Sequence, residues 1–199
     1  MYLTAVNLRF AHRGNEPLFD MLSFELRPNS LVALVGPSGS GKSTLLSILA
    51  GWEKPTAGSI HRSAITKTAW VFQNPSGSAR RSALDHVVLP YLARGRRRPD
   101  AESAARQRLA DFGLETVALR EFRSLSGGEA QRLCLARSVA SNPDLLLVDE
   151  PTAQLDANNA DTVVARLRSL ASVHRLVVIA THDGRVIEEC DQVLKLSRG

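Results

Sequence analysis

Apolar residues follow two spacings along the chain, and segments with one spacing alternate with segments with the other. Apolar and polar residues roughly alternate in YLTAVNLRF and MLSFELR near the N-terminus, which predicts two strands with one exposed face. Unbroken apolar runs occur in SLVALVG, DLLLVDE and RLVVIATHD. Such runs are typical of strands buried on both faces of a parallel sheet. Two shorter strands are predicted at KTAWVFQ and QVLKLS.

Between these strands, apolar residues recur every three or four positions, which is the spacing of a helix that buries one face. Helices are predicted from about Lys42 to Ala50, in GGEAQRLCLARSVAS up to Asn142-Pro143, and from about Asn158 to Ser172. The pattern is also helical from Ser82 to about Arg120.

The alternation of strands and helices predicts an α/β fold with a mainly parallel core sheet and a small antiparallel β part at the N-terminus. A helical subdomain is predicted as an insertion. We expect one domain over residues 1–199, in which 1–74 and 125–199 form the core and 75–124 form the helical subdomain.

Composition and charge are those of a soluble globular protein with a basic surface. The chain has 199 residues, of which 23% are charged and 44% hydrophobic. No apolar run is long enough to span a bilayer, and the start MYLTAVNLRF lacks the pattern of a secretory signal. Cys134 and Cys190 lie in no metal-ligand spacing, so we expect two buried apolar side chains in a cytosolic protein.

Arginine supplies most of the net charge of +5, and its densest run is ARGRRRPD. A basic segment can bind nucleic acid or anionic lipid. We favour a solvated arginine-rich loop, with lipid headgroups beside a membrane partner as the alternative, and expect no nucleic-acid partner.

The segment GPSGSGKST has the spacing of a phosphate-binding loop and lies between a predicted strand and a predicted helix. Glycines let backbone N–H groups face phosphates, and the helix N-terminus adds partial positive charge. We expect Lys42 to reach the β- and γ-phosphates and act in catalysis, Ser43 to ligate Mg²⁺, and Thr44 to contact the α-phosphate. The predicted nucleotide-binding residues of this loop are Gly36, Pro37, Ser38, Gly39, Ser40, Gly41, Lys42, Ser43 and Thr44.

Polar side chains follow three of the predicted strands, and the carboxyl ends of parallel strands form the edge where α/β sheets bind ligands. Asp149 and Glu150 end DLLLVDE, His182 lies in VVIATHD, and Gln73 lies in VFQNP. We expect Asp149 to hold Mg²⁺ and Glu150 to take a proton from, or polarise, an attacking water. His182 is expected beside the γ-phosphate, whereas the spacing alone favours a surface position for Gln73.

A second glycine-rich segment, SLSGGEAQR, stands far along the chain from the first. Ser126 and Glu129 have the spacing of a capping box, so the segment is at least a well-capped helix start. Gly127 and Gly128 expose N–H groups there, which also predicts a second anion site. If two chains pack head to tail, this loop of each chain can close on the γ-phosphate held by the other.

These motifs resemble, in order and approximate spacing, those of ABC transporter ATPases, and the resemblance covers essentially the whole chain. The segments that carry it are Gly36–Thr44, Gln73, LSGGE, LLLVDE, PTAQLD and His182. The resemblance implies a P-loop NTPase fold with ATP and Mg²⁺ as cofactors. In that family, two domains hold two ATP molecules, each between one chain's phosphate loop and the other chain's signature loop, LSGGE.

The resemblance also implies roles for single residues. Ser126–Gly128 match the signature loop that binds the partner's ATP, and Asp156 matches the loop that crosses the dimer interface. Gln73 matches a residue that contacts Mg²⁺ or the attacking water and links the nucleotide site to the membrane partner. Glu150 matches the catalytic carboxylate, and His182 matches the γ-phosphate switch.

One position departs from the family pattern. The family usually stacks an aromatic residue on adenine ahead of the phosphate loop, and the alignment puts His12 there, with Phe10 nearby. A histidine ring can stack, although less strongly than tyrosine or tryptophan. We expect His12 to contact the base and Phe10 to face the core.

The complete set of motifs predicts an ATP-hydrolysing transporter subunit that forms a homodimer and drives integral membrane permease subunits from the cytoplasmic face of the membrane. The stretch DHVVLPYLARG resembles the lipoprotein-release, macrolide-export and cell-division branch. Two alternatives remain open: an ATPase that regulates a membrane partner without moving cargo, and a soluble ABC ATPase of DNA repair or translation.

Overall fold

The structure, a computed structural model, describes residues 1–12, 16–153, 155, 157–171 and 174–197. Its strands are β1 (Tyr2–Ala11), β2 (Pro17–Leu26), β3 (Leu31–Val35), β4 (Ala57–Ser63), β5 (Thr68–Val71), β6 (Leu145–Asp149), β7 (Leu176–Ala180) and β8 (Gln192–Lys195). Its helices are α1 (Lys42–Ala50), α2 (Ala83–Ala93), α3 (Arg98–Asp111), α4 (Gly127–Ala140), α5 (Ala157–Ala171) and α6 (Gly184–Glu188).

Five strands form a parallel sheet in the order β5-β6-β7-β3-β8. The central strands β3, β6 and β7 are almost entirely buried, as their unbroken apolar runs predict. The α/β fold with a mainly parallel sheet is therefore confirmed. All five strands run in the same direction, so the polar residues that follow β6 and β7 emerge at one edge.

A second, antiparallel sheet has the order β2-β1-β4. Strands β1 and β2 match the alternating segments at the N-terminus. The sequence pattern did not predict β4, because most of its side chains are exposed and polar. It joins the sheet through backbone pairing with β1, in which Leu3 pairs with Arg62 and Ala5 with Ile60.

The segment predicted as helical from Ser82 to about Arg120 contains two helices, α2 and α3, separated at Arg94–Arg97. A short 3₁₀ turn lies near its end, at Glu115–Val117, and another follows it at Phe122–Ser124. Ser82 caps α2, where its hydroxyl accepts from the backbone N–H of Asp85. The basic run therefore ends one helix and begins the next, and its arginines are exposed. This agrees with a solvated arginine-rich loop.

The apolar side chains of the parallel sheet pack into two hydrophobic cores, one on each face of the sheet. Leu146 and Val148 of β6 pack with residues of α2, α3, α4 and α5. Leu145 and Leu147 pack on the opposite face with α1 and the antiparallel sheet. Both faces of the sheet are therefore covered by other elements. The edge at the carboxyl ends of the strands stays exposed, and it is the place where α/β sheets bind ligands.

Candidate active site

The loop between β3 and α1 is tightly wound, and its glycines explain how. Gly39 and Gly41 have φ angles of 77° and 89°, a region that residues with a Cβ rarely adopt. A Cβ at Gly36 would lie 2.6 Å from the carbonyl oxygen of Leu196 and 2.6 Å from Ser40 Oγ. The loop runs directly into α1, which begins at Lys42. Backbone N–H groups at the start of a helix lack partners within the helix and can bind an anion.

A cavity of about 730 Å³ lies against this loop at the carboxyl edge of the sheet. The described residues that line it are His12, Leu18, Gly36, Pro37, Ser38, Gly39, Gly41, Lys42, Ser43, Thr44, Gln73, Asp149, Glu150 and His182. Ser40 is the loop residue outside this set, because its side chain is buried and packs toward Gly36. The cavity has the size of a small-molecule site and brings together residues predicted from distant segments.

Lys42 extends back over the loop. Its Nζ donates to the carbonyl oxygens of Gly36 at 2.8 Å and Pro37 at 3.2 Å. The ammonium group thus lies among the N–H groups and carbonyls of the loop. In this position its charge is available to an anion in the cavity.

Ser43 and Asp149 meet across the cavity floor. Ser43 Oγ donates to Asp149 Oδ2 at 2.7 Å. Burial raises the pKa of the Asp149 carboxyl, and the charge of Glu150 also raises it, while the Ser43 hydrogen bond and Lys42 oppose these effects. The described residues contain no group of three or more His, Cys, Asp and Glu side chains suited to a metal ion. A cation here would therefore rely on few protein ligands.

Glu150 and His182 form a pair at the ends of β6 and β7. Glu150 has a φ of 47°, and its backbone N–H donates to the Ala180 carbonyl at 2.8 Å. His182 Nδ1 lies 3.0 Å from Glu150 Oε1, and the two side chains are 78% and 11% exposed. Glu150 Oε2 is buried and has no hydrogen-bond partner within the described part of the chain. An acceptor oxygen thus lies ready for a donor that enters the cavity.

Three residues at the cavity wall come from other elements. Gln73 lies just beyond β5 and is exposed. His12 is exposed and meets the Phe10 ring edge-on, with 5.1 Å between centroids, whereas Phe10 is buried in the core as expected. Leu18 of β2 also lines the cavity, and the sequence does not predict it, because an apolar residue in an alternating strand carries no signal for a ligand site.

The signature-loop segment begins α4 with a complete capping box, as its spacing predicts. The Glu129 backbone N–H donates to Ser126 Oγ at 3.2 Å, and the Ser126 backbone N–H donates to Glu129 Oε2 at 2.7 Å. Ser126, Gly127 and Gly128 are not among the described residues lining the cavity. Asp156, the other residue expected at a dimer interface, lies outside the described residues.

Comparisons with known proteins identify the family of the chain. The sequence profile of the family described as ABC transporter matches residues 19–153. The lipoprotein-releasing system ATP-binding protein LolD of Chromohalobacter salexigens is 36% identical over 92% of this chain and 84% of its own. LolD of Nitrobacter hamburgensis is 38% identical over 92% of this chain and 85% of its own.

A solved structure of the ATP-binding cassette MJ0796, a dimer in a post-hydrolysis state with ADP and Pi, is also similar. It has a TM-score of 0.89 and 27% identity, and the match covers 98% of this chain and 94% of that one. The LolD relatives confirm the branch expected from DHVVLPYLARG. The chain belongs to the ABC transporter family, as an ATP-binding and ATP-hydrolysing subunit.

Proposed function

We propose that two copies of this chain close head to tail around two Mg-ATP molecules, and that hydrolysis reopens the dimer and drives membrane permease subunits. The observation that best supports this proposal is the cavity that holds Lys42, the Ser43–Asp149 pair and the Glu150–His182 pair together. Two solved structures of the similar cassette MJ0796 are dimers, which supports a dimeric assembly for this chain.

The donor set of the cavity fits Mg²⁺. Ser43 Oγ and Asp149 Oδ2 are already 2.7 Å apart, and the amide of Gln73 lines the same cavity. Mg²⁺ prefers oxygen ligands and takes one or two from protein beside substrate phosphates and water. We assign Ser43, Asp149 and Gln73 as the residues that hold it. When bound, Mg²⁺ neutralises charge on the phosphates.

The remaining side chains of the cavity have separate roles in binding ATP and in hydrolysing it. Lys42 and the loop N–H groups hold the β- and γ-phosphates, and His12 contacts the adenine. Glu150 Oε2, a buried acceptor without a described partner, receives the proton of the attacking water or orients it. His182 contacts the γ-phosphate and senses its presence through its contact with Glu150 Oε1.

Closure of the dimer supplies the part that one chain lacks. Ser126–Gly128 lie at the start of α4, and they are not among the described residues lining this chain's cavity. A helix start with two glycines presents N–H groups to an anion. We assign it to the γ-phosphate of the ATP held by the partner chain, with Asp156 at the same interface.

The permease assignment is supported by the names of the relatives, which include ATP-binding proteins of a lipoprotein-releasing system. Among the residues described, no helix combines the length and the apolar character needed to cross a membrane. We propose that the chain works at the cytoplasmic face of the membrane, bound to permease subunits that span it.

The test is co-purification of tagged Glu150→Gln protein from gently solubilised native membranes in Mg-ATP, with mass spectrometry of the bound proteins. A tagged Lys42→Ala variant, which we expect to lose the nucleotide, is the matched control for ATP-dependent capture. Recovery of a multi-span permease supports the proposal. Recovery of soluble proteins, ribosomes or DNA alone contradicts it and favours an ABC ATPase of DNA repair or translation.

A further inference from the structure

A second polar cavity, of about 590 Å³, lies at the opposite edge of the parallel sheet from the nucleotide cavity. Arg175 immediately precedes β7, and Asn142 lies shortly before β6, so the cavity faces the amino ends of these strands. Four arginines line it: Arg94, Arg96, Arg108 and Arg175. No carboxylate is among the described residues that line it.

Arg175 is fixed in place. It is only 5% exposed, its Nε donates to the Pro143 carbonyl at 2.7 Å, and its Nη2 donates to Asn142 Oδ1 at 2.9 Å. These partners are neutral, and burying a charged group among neutral partners is costly. The guanidinium is therefore held in a defined orientation while its charge lacks a direct anionic partner among the described residues.

Arg108 adds a second charge beside the first. Burial lowers the pKa of Arg175, and the positive charge of Arg108 lowers it further, while Asp144 opposes both. Arg108 Nη1 donates to Asp111 Oδ2 at 2.8 Å. Its Nε is buried and has no acceptor in the described part of the chain. This N–H is therefore free to donate to water or to a bound ligand.

The rim of the cavity carries the two arginines from the basic run. Arg94 Nη1 donates to the Ala140 carbonyl at 3.2 Å, and the Arg96 guanidinium lies 5.0 Å from the centre of the Tyr91 ring. Both side chains are exposed, and neither contact involves an anion. Arg94 and Arg96 thus add two exposed positive charges to those of Arg108 and Arg175, which are less exposed.

We propose that this cavity binds a ligand presenting at least two phosphate groups, held by Arg94, Arg96, Arg108 and Arg175. Guanidinium groups match phosphate oxygens with paired, charge-assisted hydrogen bonds, and several converging arginines favour more than one phosphate. The phosphates can belong to a free soluble compound or to a lipid headgroup that carries two phosphate groups. The site is separate from the ATP cavity and does not depend on the proposed transport role.

The test is titration of inorganic tripolyphosphate into protein saturated with ADP, which occupies the nucleotide cavity. We expect one tripolyphosphate per chain. The double variant Arg94→Gln/Arg96→Gln, and separately Arg108→Gln, should bind it about tenfold more weakly or worse, because charge-assisted hydrogen bonds are lost. The matched control is Arg27→Gln/Arg97→Gln, which removes the same charge from two exposed arginines outside the cavity.

The control should bind as the wild-type protein does. Absence of binding in the presence of ADP, or equal weakening in the control, overturns the proposal, because the effect is then one of net charge. Flotation with cardiolipin vesicles identifies the source of the phosphates. Capture that is lost in Arg94→Gln/Arg96→Gln and kept in the control assigns a lipid headgroup, whereas tripolyphosphate binding without vesicle capture assigns a soluble ligand.

Discussion

His182 Nδ1 lies 3.0 Å from Glu150 Oε1, at the joined carboxyl ends of two neighbouring parallel strands. The contact leaves the other carboxylate oxygen, Glu150 Oε2, buried and without a described partner. One carboxylate oxygen therefore contacts the histidine, while the other has no donor among the described residues. In the mechanism that we propose, the histidine contact positions the carboxylate and the second oxygen accepts the proton.

Glu150→Gln should bind ATP but hydrolyse it about 10²–10⁴-fold more slowly, because an amide keeps the shape of the side chain and cannot accept the proton. The measurement pairs steady-state phosphate release with equilibrium binding of a fluorescent ATP analogue. Hydrolysis at the wild-type rate would remove Glu150 from the mechanism.

Lys42→Ala should either lose nucleotide binding, or bind the nucleotide more weakly and lose hydrolysis. The reason is that the substitution removes the ammonium group that the Gly36 and Pro37 carbonyls hold over the loop. Thermal shift with and without Mg-ATP reports the binding. Lys54→Ala, which removes a lysine outside the cavity lining, is the matched control and should behave as the wild-type protein. Near-normal turnover of Lys42→Ala contradicts the assigned phosphate cradle.

Ser126→Arg should block ATP-driven dimerisation and spare ATP binding, since the bulky cation would occupy the place of the partner's γ-phosphate. Loss of the N-cap alone costs about 1 kcal/mol of stability. Ser82→Ala removes the equivalent cap of α2 and is the control for that loss. Normal dimerisation of Ser126→Arg, measured by size-exclusion chromatography with Mg-ATP, is incompatible with a composite site.

His86 predicts a pH dependence of stability. The buried ring accepts from the Ser78 backbone N–H at 3.0 Å through Nε2, and its Nδ1 lies 2.7 Å from the Ser82 carbonyl oxygen. Burial lowers its pKa from the ordinary 6.5, the Ser82 carbonyl raises it, Arg137 and Arg81 lower it, and Asp85 raises it. The neutral ring fits both bonds, whereas a protonated ring removes the acceptor for Ser78.

The folded state thus binds fewer protons at His86 than the unfolded state does. Its contribution to stability is present above about pH 6.5 and is lost as the pH falls through the lowered pKa. His86→Gln should unfold at a lower temperature at neutral pH, with about 1–3 kcal/mol lost, and its melting temperature should change less between neutral and mildly acidic pH. His61→Gln, on exposed β4, is the control, and parallel curves for wild type and His86→Gln refute the assignment.

The sequence pattern predicted the parts of the fold in which burial dictates residue type. The runs that became β3, β6 and β7 are buried on both faces and could be read directly. Strand β4 was missed because backbone pairing with β1 holds it, and few of its side chains are buried. Helix α6 could not be predicted, because it has five residues and only Val186 is buried, so no repeating spacing of apolar residues is visible.

Most residues of the candidate nucleotide cavity could be predicted because they belong to recognisable strand and loop motifs. The arginine-lined cavity could not, since Arg94 and Arg175 come from elements far apart along the chain and share no spacing. Leu18 of β2 lines the candidate nucleotide cavity, and as an apolar residue in an alternating strand it carries no sequence signal for a ligand site. Tertiary packing alone brings such residues together.

Sedimentation velocity of the Glu150→Gln protein tests most directly whether each ATP is enclosed by two chains. With saturating Mg-ATP, we expect a dimer that retains two ATP molecules, and without nucleotide a monomer. The same dimer should be absent when Ser126→Arg is added to Glu150→Gln. A protein that stays monomeric while fully bound to Mg-ATP would show that the site is not shared between two chains.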